Sequence, residues 1–572
     1  MCSLITNRRT GVGALLLMLI AVGALFGGTP AFAAPARKEP NKTESTSTAI
    51  SGPTSVINKL IRQGWLDNEI KPSEPATDGE WCRRVYLDLI GRIPSYRELT
   101  AFVDDKSSDK RQALVSKLLS DPYADEYARN WTTLWTNILI GRNGGTERRS
   151  LTSRDGMQRY LRKSFLDNRP YDRMVGELIS AEGTTKPGHP KFNGATNFLA
   201  MKLMDSATQA TAKTSQIFLG MQVQCTQCHN HPFNQAKQNQ FWEMNSFFRQ
   251  TVALRRFGGK DGRDIDHVQL TDQDFAGEDR RPEAAAIFYE LRNGLTKVAF
   301  PRFVDGQEIG RSGYVDQVNR RKELAKLVVK SPNLARTIVN RTWAHFMGYG
   351  FTKPIDDLGS HNQPTHPELL DALAKSLRNR QYDLKQLMRW IVMSEPYSLS
   401  SRMTKDNAAD DPSLGEPPMF SHFYMRQMRA EELYESLLVA TRADKTKSSG
   451  EQEKTKKAWL KQFVIAFGND EGAEMTTFNG SIPQALMMMN GDLIKQAVNT
   501  KSGSFLQQVA GSKLTPAKKI NYLYMAALAR KPRQSDIQMA NLMLKARDGD
   551  TAAAMQDIWW VLLNSNEFIL NH

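Results

Sequence analysis

RQALVSKLLSDPYADEYARNWTTLWTNILIG, residues 111–141, is the stretch whose reading decides the fold class. Its apolar residues recur three and four apart, as Leu114, Val115 and Leu118 and then as Tyr127, Trp131, Leu134, Trp135 and Ile138. That is the period of one buried helix face, and the Asp121-Pro122 step breaks it once, because proline lacks an amide proton and restricts the residue before it. MQRYLRKSFLDNRPYDRMVGELISAEG (157–183) repeats the pattern, broken before Pro170, and a third helix is expected around residues 209–224. From Asn319 onward the period returns in RRKELAKLVVKS, in NLARTIVNRTWAHFMGYG with its closing glycines, and in ELLDALAKSLRNR. Thr365 and Glu368 fit a capping box at the start of the last of these. AAAMQDIWWVLLNSNEFILNH (552–572) reads as one amphipathic helix running close to the C-terminus.

Residues 256–310 differ. Glycine, aspartate and arginine dominate, and KVAFPRFVDG alternates as a hairpin or small sheet would. The expected architecture is mainly α: a helical domain over 53–255, a β-containing connecting segment over 256–310, and a second helical domain over 311–572. The polar tracts 402–417 and 442–456 read as exposed loops. Met487-Met488-Met489 reads as flexible core packing rather than a copper site, because contiguous methionines cannot all face one ion.

The N-terminus carries a different signal. Arg8 and Arg9 precede an apolar run from Val12 to Phe26, and Ala31-Phe32-Ala33 supplies a small-residue cleavage pattern. Residues 1–33 therefore read as a secretory signal peptide, followed by a disordered linker over 34–52, and the mature chain as exported, periplasmic or extracellular, and not transmembrane. Cleavage removes two arginines and Cys2, lowering the formal charge from +15 to +13 and leaving Cys82, Cys225 and Cys228. Three cysteines cannot frame a chain of this size with disulfides, and Cys82, within WCRRVYLDLI, is expected to be buried on a helix. The positive charge suits an anionic polysaccharide or cell-surface polymer, but the basic residues are interleaved with acids and no nucleic-acid-binding motif appears.

Against that background QCTQCHNHPF (224–233) stands out. Cys225-Thr226-Gln227-Cys228-His229 has the spacing of c-type haem attachment: two thiols three apart can each add to a haem vinyl group, and the following imidazole reaches the iron. Phe233, Phe241, Trp242, Phe247 and Phe248 are candidates to wall the haem, and Met221, Met244, His231 and His345 are candidates for the sixth iron ligand. Two other readings stay open. Cys225 and Cys228 with His229 or His231 suit zinc or another borderline metal, with a further ligand from elsewhere. The pair also suits a small disulfide or redox dithiol. A second polar concentration, residues 340–370, holds Arg341, Trp343, His345, Asp356, Asp357, His361 and His366. It reads as a network fixing a helix to a loop, with the aspartates pairing to arginines, and secondarily as a metal or acid–base site. No nucleophile elbow, phosphate loop, dinucleotide fingerprint or HExxH zinc motif is present.

These stretches carry a family resemblance. RRVYLDLIGRIPS (83–95), NRPYDRMVGELISAEG (168–183) and FLGMQVQCTQCHNHPFNQ (218–235) resemble the planctomycete cytochrome C-like domain. NLARTIVNRTWAHFMGYGF, IDDLGSHNQPTHPELLDALA, SIPQALMMMNGDLI and IWWVLLNSNEFILNH resemble the planctomycete-specific domain that accompanies it. The resemblance implies an exported, largely helical protein of unestablished biochemical function, whose family name assumes c-type haem at the motif that here is Cys225, Cys228 and His229. With the haem c reading of the motif, the expected role is electron transfer or an associated redox reaction, with a redox partner protein; the alternative is a non-haem metal protein, structural or hydrolytic. His231 also matches the family's pattern, in which a second histidine and proline follow.

Overall fold

The helix pair predicted from residues 111–141 forms as Lys110–Leu118 and Ala124–Ile140, separated by a single turn over Asp121–Tyr123. The computed structural model describes residues 52–572 apart from 148, 233–234, 259–263, 447–448 and 469–480, so the expected signal peptide and nearly all of the expected linker lie outside the described residues. The second helix of the pair buries Tyr127, Trp131 and Trp135. The Arg154–Leu166 helix lies across it, with Phe165 set edge-on to Tyr127 at 6.3 Å and tilted against Trp131 at 6.4 Å. Pro170 then caps the Tyr171–Ser180 helix.

The fold is mainly α, with short antiparallel strands in its middle. Strands Gly183–Thr184, Asp264–Asp272 and Thr251–Gly258 form one three-stranded sheet in that spatial order, with Ala253 opposite Leu270. Ile287–Glu290 and Thr296–Ala299 form a separate hairpin. The main hydrophobic core runs from Ile57 to Tyr424 and further: Trp81, Val85 and Phe218 pack with Val328, Trp343, Leu370 and Ile391. A second core joins Leu87 and Ile93 to Leu437, Phe463, Trp559 and Phe568.

Several helix limits differ from the sequence expectation. The third helix is Thr208–Leu219, stopped by Gly220 at φ 63° rather than running to 224. Only glycine suits that position twice over, since a Cβ would also sit 2.9 Å from both Leu358 Cδ1 and Thr337 Oγ1. The Pro367–Asn379 helix has His366 at its cap, and Thr365 bonds the His366 ring instead of the helix amides, because Pro367 sets the start one residue later. Part of the polar tract 442–456 is helical: Ser449–Phe467 forms because Trp459, Phe463 and Phe467 bury one side of it. Among the three methionines, Met488 is buried, Met487 packs against the second core and Met489 is exposed. The C-terminal stretch is not one helix. Thr551–Leu563 ends, Ser565 caps a turn over Asn566–Ile569, and Leu570–Asn571 pairs as a strand with Arg426–Gln427.

That last strand leads to the polar centre of the molecule. The Asp78–Ile90 helix buries Trp81, Cys82, Val85 and Leu89 on its main-core side and Arg83, Arg84 and Asp88 along another. Cys82 is fully buried, which pushes its thiol pKa well up. Arg83 donates to the carbonyls of Ala527 (2.8 Å) and Phe568 (2.7 Å). Arg84 donates to the carbonyls of Tyr397 and Leu399. The Asp88 carboxylate accepts from Arg426, from the Tyr397 hydroxyl at 2.6 Å and from Asn571 Nδ2 at 2.7 Å. His345 Nε2 donates to the Asp88 carbonyl at 3.1 Å, and its ring lies 4.9 Å from that of Trp131.

A buried ion pair loses most when one member is removed. Arg426→Met is expected to cost about 3–5 kcal/mol in urea unfolding, and Asp88→Leu combined with Arg426→Met much less than the sum of the single changes. A second prediction concerns acid. Burial alone would raise Glu432, but Arg429 and Arg426 hold it down at about 2. Arg92, gripping Glu98 through two nitrogens at 2.9 Å, outweighs burial there and also holds that carboxyl at about 2. Both native values lie below the ordinary glutamate value, so the unfolded chain takes up protons first as pH falls. Their stabilisation is present in full above about pH 5 and is lost as pH drops from about 4.5 toward 2. Urea midpoints measured across that window should fall steeply, and Glu432→Gln should lower stability at pH 7 while flattening the acid slope.

Candidate functional site

Gly220 turns the chain out of its helix, and a short helical turn over Gln224–Gln227 then presents the cysteine motif. Thr226 is buried, its hydroxyl donating to the Val223 carbonyl at 2.6 Å, which leaves Cys225 and Cys228 exposed on either side as free thiols. The turn is braced from behind. The Gln227 carbonyl accepts from Gln238 Nε2 at 3.2 Å and from the Trp242 indole at 3.1 Å. Gln238 Nε2 also donates to the Glu290 carbonyl (2.8 Å), and the Gln238 amide donates to Asn230 Oδ1 (3.0 Å). Trp242 stacks on Tyr289 of the hairpin, ring centres 6.0 Å apart and nearly parallel.

His229 Nδ1 lies 2.6 Å from the Asn230 carbonyl. A carbonyl only accepts, so Nδ1 carries the proton and the lone pair is on Nε2. This is the arrangement a metal-ligating histidine commonly has, with one ring nitrogen fixed by an acceptor and the other turned to the metal. The His231 amide donates to the Ala236 carbonyl (2.9 Å), and its ring centre lies 5.8 Å from that of His361.

The aromatic residues after the motif divide between the core and the turn. Phe241 is buried, Phe247, Phe248 and Met244 belong to the main core, and Trp242 braces the turn. Phe233 lies outside the described residues. Met221 is partly buried against the main core. Of the sixth-ligand candidates, His345 is held by the Asp88 carbonyl and Trp131, its pKa pushed down to about 3 by burial and then by Arg426 and Arg429.

The 340–370 concentration divides into separate tasks. Trp343 is buried against Phe351 and Phe420. His366 lies beside Phe351 and Phe420, its pKa lowered to about 4 by burial. Asp356 accepts from Gln216 (2.6 Å) and Gln222 (2.9 Å), with Arg341 at 3.9 Å, so its loop is tied to the segment that carries the motif. The Leu358 amide adds a bond to the Gly220 carbonyl at 2.7 Å. Asp357 pairs with His361 rather than with an arginine: Oδ2 lies 2.9 Å from His361 Nε2, and the Gly359 amide donates to Oδ1 at 3.1 Å. Among the described residues no three His, Cys, Asp or Glu side chains already converge as a metal cage. Gln216, Gln222, Gln238 and Asn230, which position the site, have no spacing to mark them.

Residues 56–253 match the family model PSCyt2, a protein of unknown function (DUF1549), and residues 320–478 match PSD1, a protein of unknown function (DUF1553). Comparison with curated proteins and with solved structures found no match. The chain thus carries two domains of unknown function in tandem, consistent with paired planctomycete-type domains. No helix among the described residues is long and apolar enough to cross a membrane.

Gln238 is the brace on which the turn depends most. Replacing it with leucine removes a donor from the carbonyls of Gln227 and Glu290 and leaves Trp242 as the side-chain donor still bracing Gln227. Amide exchange over residues 225–231 should accelerate about tenfold or more in Gln238→Leu, since about 1.4 kcal/mol is one decade, while exchange in the Ala124–Ile140 helix stays unchanged.

Proposed function

We propose that this tandem-domain chain is an exported, c-type cytochrome-like protein that holds one haem covalently through Cys225 and Cys228, with His229 as the proximal iron ligand. The observation that carries the reading is the arrangement of the three groups. Both thiols are exposed on one turn with the buried Thr226 between them, and His229 has its Nδ1 proton engaged and its Nε2 lone pair available. When bound, haem supplies one-electron chemistry. The residues supply attachment and orientation: Gln238 and Trp242 fix the carbonyl of Gln227, and with it the spacing of the two thiols.

Haem attached at these exposed cysteines would suit electron exchange with a redox partner protein. The positive charge of the chain favours an acidic partner or an anionic polymer outside the cell. Of the candidates for a second iron ligand, Met244 and His345 are both committed to the interior.

The test is expression of the chain in a host that matures c-type cytochromes, followed by intact mass and visible spectra before and after dithionite. A covalent haem mass with a reduced α-band is expected. Both should be lost in Cys225→Ala/Cys228→Ala, and His229→Ala should keep the mass but shift the spectrum. An unmodified mass with no reduced band, or stoichiometric zinc on the same cysteines, overturns the proposal.

A further inference from the structure

His231 and His361 come from stretches far apart in the sequence, yet their ring centres stand 5.8 Å apart with planes inclined at 37°. With a metal–nitrogen bond of about 2.0 Å and about 1.2 Å from nitrogen to ring centre, two imidazoles on one ion place their centres about 5–6.5 Å apart. The observed separation falls within that range.

A second observation concerns the group behind His361. Its Nε2 donates to Asp357 Oδ2 at 2.9 Å, which leaves the lone pair on Nδ1. Asp357 is itself held, by the Gly359 amide on Oδ1 and by Asn362 Nδ2 on its carbonyl at 2.8 Å. A carboxylate on the far nitrogen of an imidazole is the usual support of a metal-binding histidine: it fixes the ring and raises its basicity. Gly359 packs beside the Nδ1 edge, where a Cβ would lie 2.6 Å from both Nδ1 and Cε1 of His361, so the absence of a side chain there avoids a clash with the ring.

We infer that His231 and His361 form a binding site for a divalent transition metal, with Asp357 orienting His361 and water completing the coordination. Neutral imidazoles favour zinc and copper(II) among the divalent ions. The site uses no cysteine and does not depend on the haem. It joins the loop of the cysteine motif to the 357–362 loop, so an ion bound there would tie the two together.

The experiment uses the full chain carrying Cys225→Ser and Cys228→Ser, which can neither attach haem nor offer thiolates, so its result is independent of the haem proposal. Zinc titration by calorimetry should show one saturable site of micromolar affinity, and copper(II) bound there should show nitrogen superhyperfine structure in its electron paramagnetic resonance spectrum. Affinity should fall at least tenfold in His231→Gln and in His361→Gln, and about 10–100-fold in Asp357→Asn. Thermal melts of the same samples check folding, and if one glutamine variant unfolds, the other decides. Absence of saturable binding in the double-serine chain overturns the inference, as does unchanged affinity in the folded histidine variants.

Discussion

The Asp88 carboxylate has no access to solvent, and it accepts hydrogen bonds from Arg426, Tyr397 and Asn571. Burying a charge costs several kcal/mol unless every lone pair finds a donor, and here the donors come from three distant parts of the chain. The buried charge on the Asp78–Ile90 helix is therefore satisfied only with the segments around residues 397 and 426 and the C-terminal strand all in place. Arg83 and Arg84 on the same helix extend the requirement, since the carbonyls they satisfy belong to residues 397–399, 527 and 568. Hydrophobic burial supplies most of the driving force, and this network ties together segments distant in the chain. Two cores meet at that helix, with Trp81 and Val85 in one and Leu87 in the other.

The cysteine turn depends on the same framework at one remove. Leu358 bonds to the carbonyl of Gly220 and Asp356 to Gln216 and Gln222, so the 354–362 loop is fixed to the segment that leads into Cys225. That loop is carried by the Pro332–Met347 helix, whose Val339, Trp343 and Phe346 lie in the main core. His361 meets His231 because two buried elements set the positions of two surface loops. Rigid supports of this kind are what allow exposed side chains to keep a defined geometry.

Much of this was legible in the sequence. The helix pair at residues 111–141 formed with its break at Asp121-Pro122, because proline's missing amide acts locally. The Arg154–Leu166 and Tyr171–Ser180 pair formed in the same way. The C-terminal stretch misled, since apolar spacing continues through Phe568 and Ile569 while Ser565 caps a new turn and Asn571 is drawn away to Asp88. The tract at 449–456 misled in the other direction: its composition is polar, and its helix forms because Trp459, Phe463 and Phe467 further along bury one side. In the site, the spacing of Cys225, Cys228 and His229 identified the turn. Nothing in the spacing pointed to Gln238 as its brace or to His361 as the neighbour of His231.

By itself the sequence determined the helical class, the main chain breaks and the cysteine turn, because periodicity, proline, glycine at positive φ and a five-residue motif all act within a few residues of themselves. The tertiary structure alone decided which of the 340–370 side chains face the motif. His345 went to Asp88, His366 to Phe351 and Phe420, and His361 to His231. Those three histidines lie within 22 residues of one another in the chain. What separates them is the packing of the helix and loop that carry them, and packing depends on partners the local sequence does not contain.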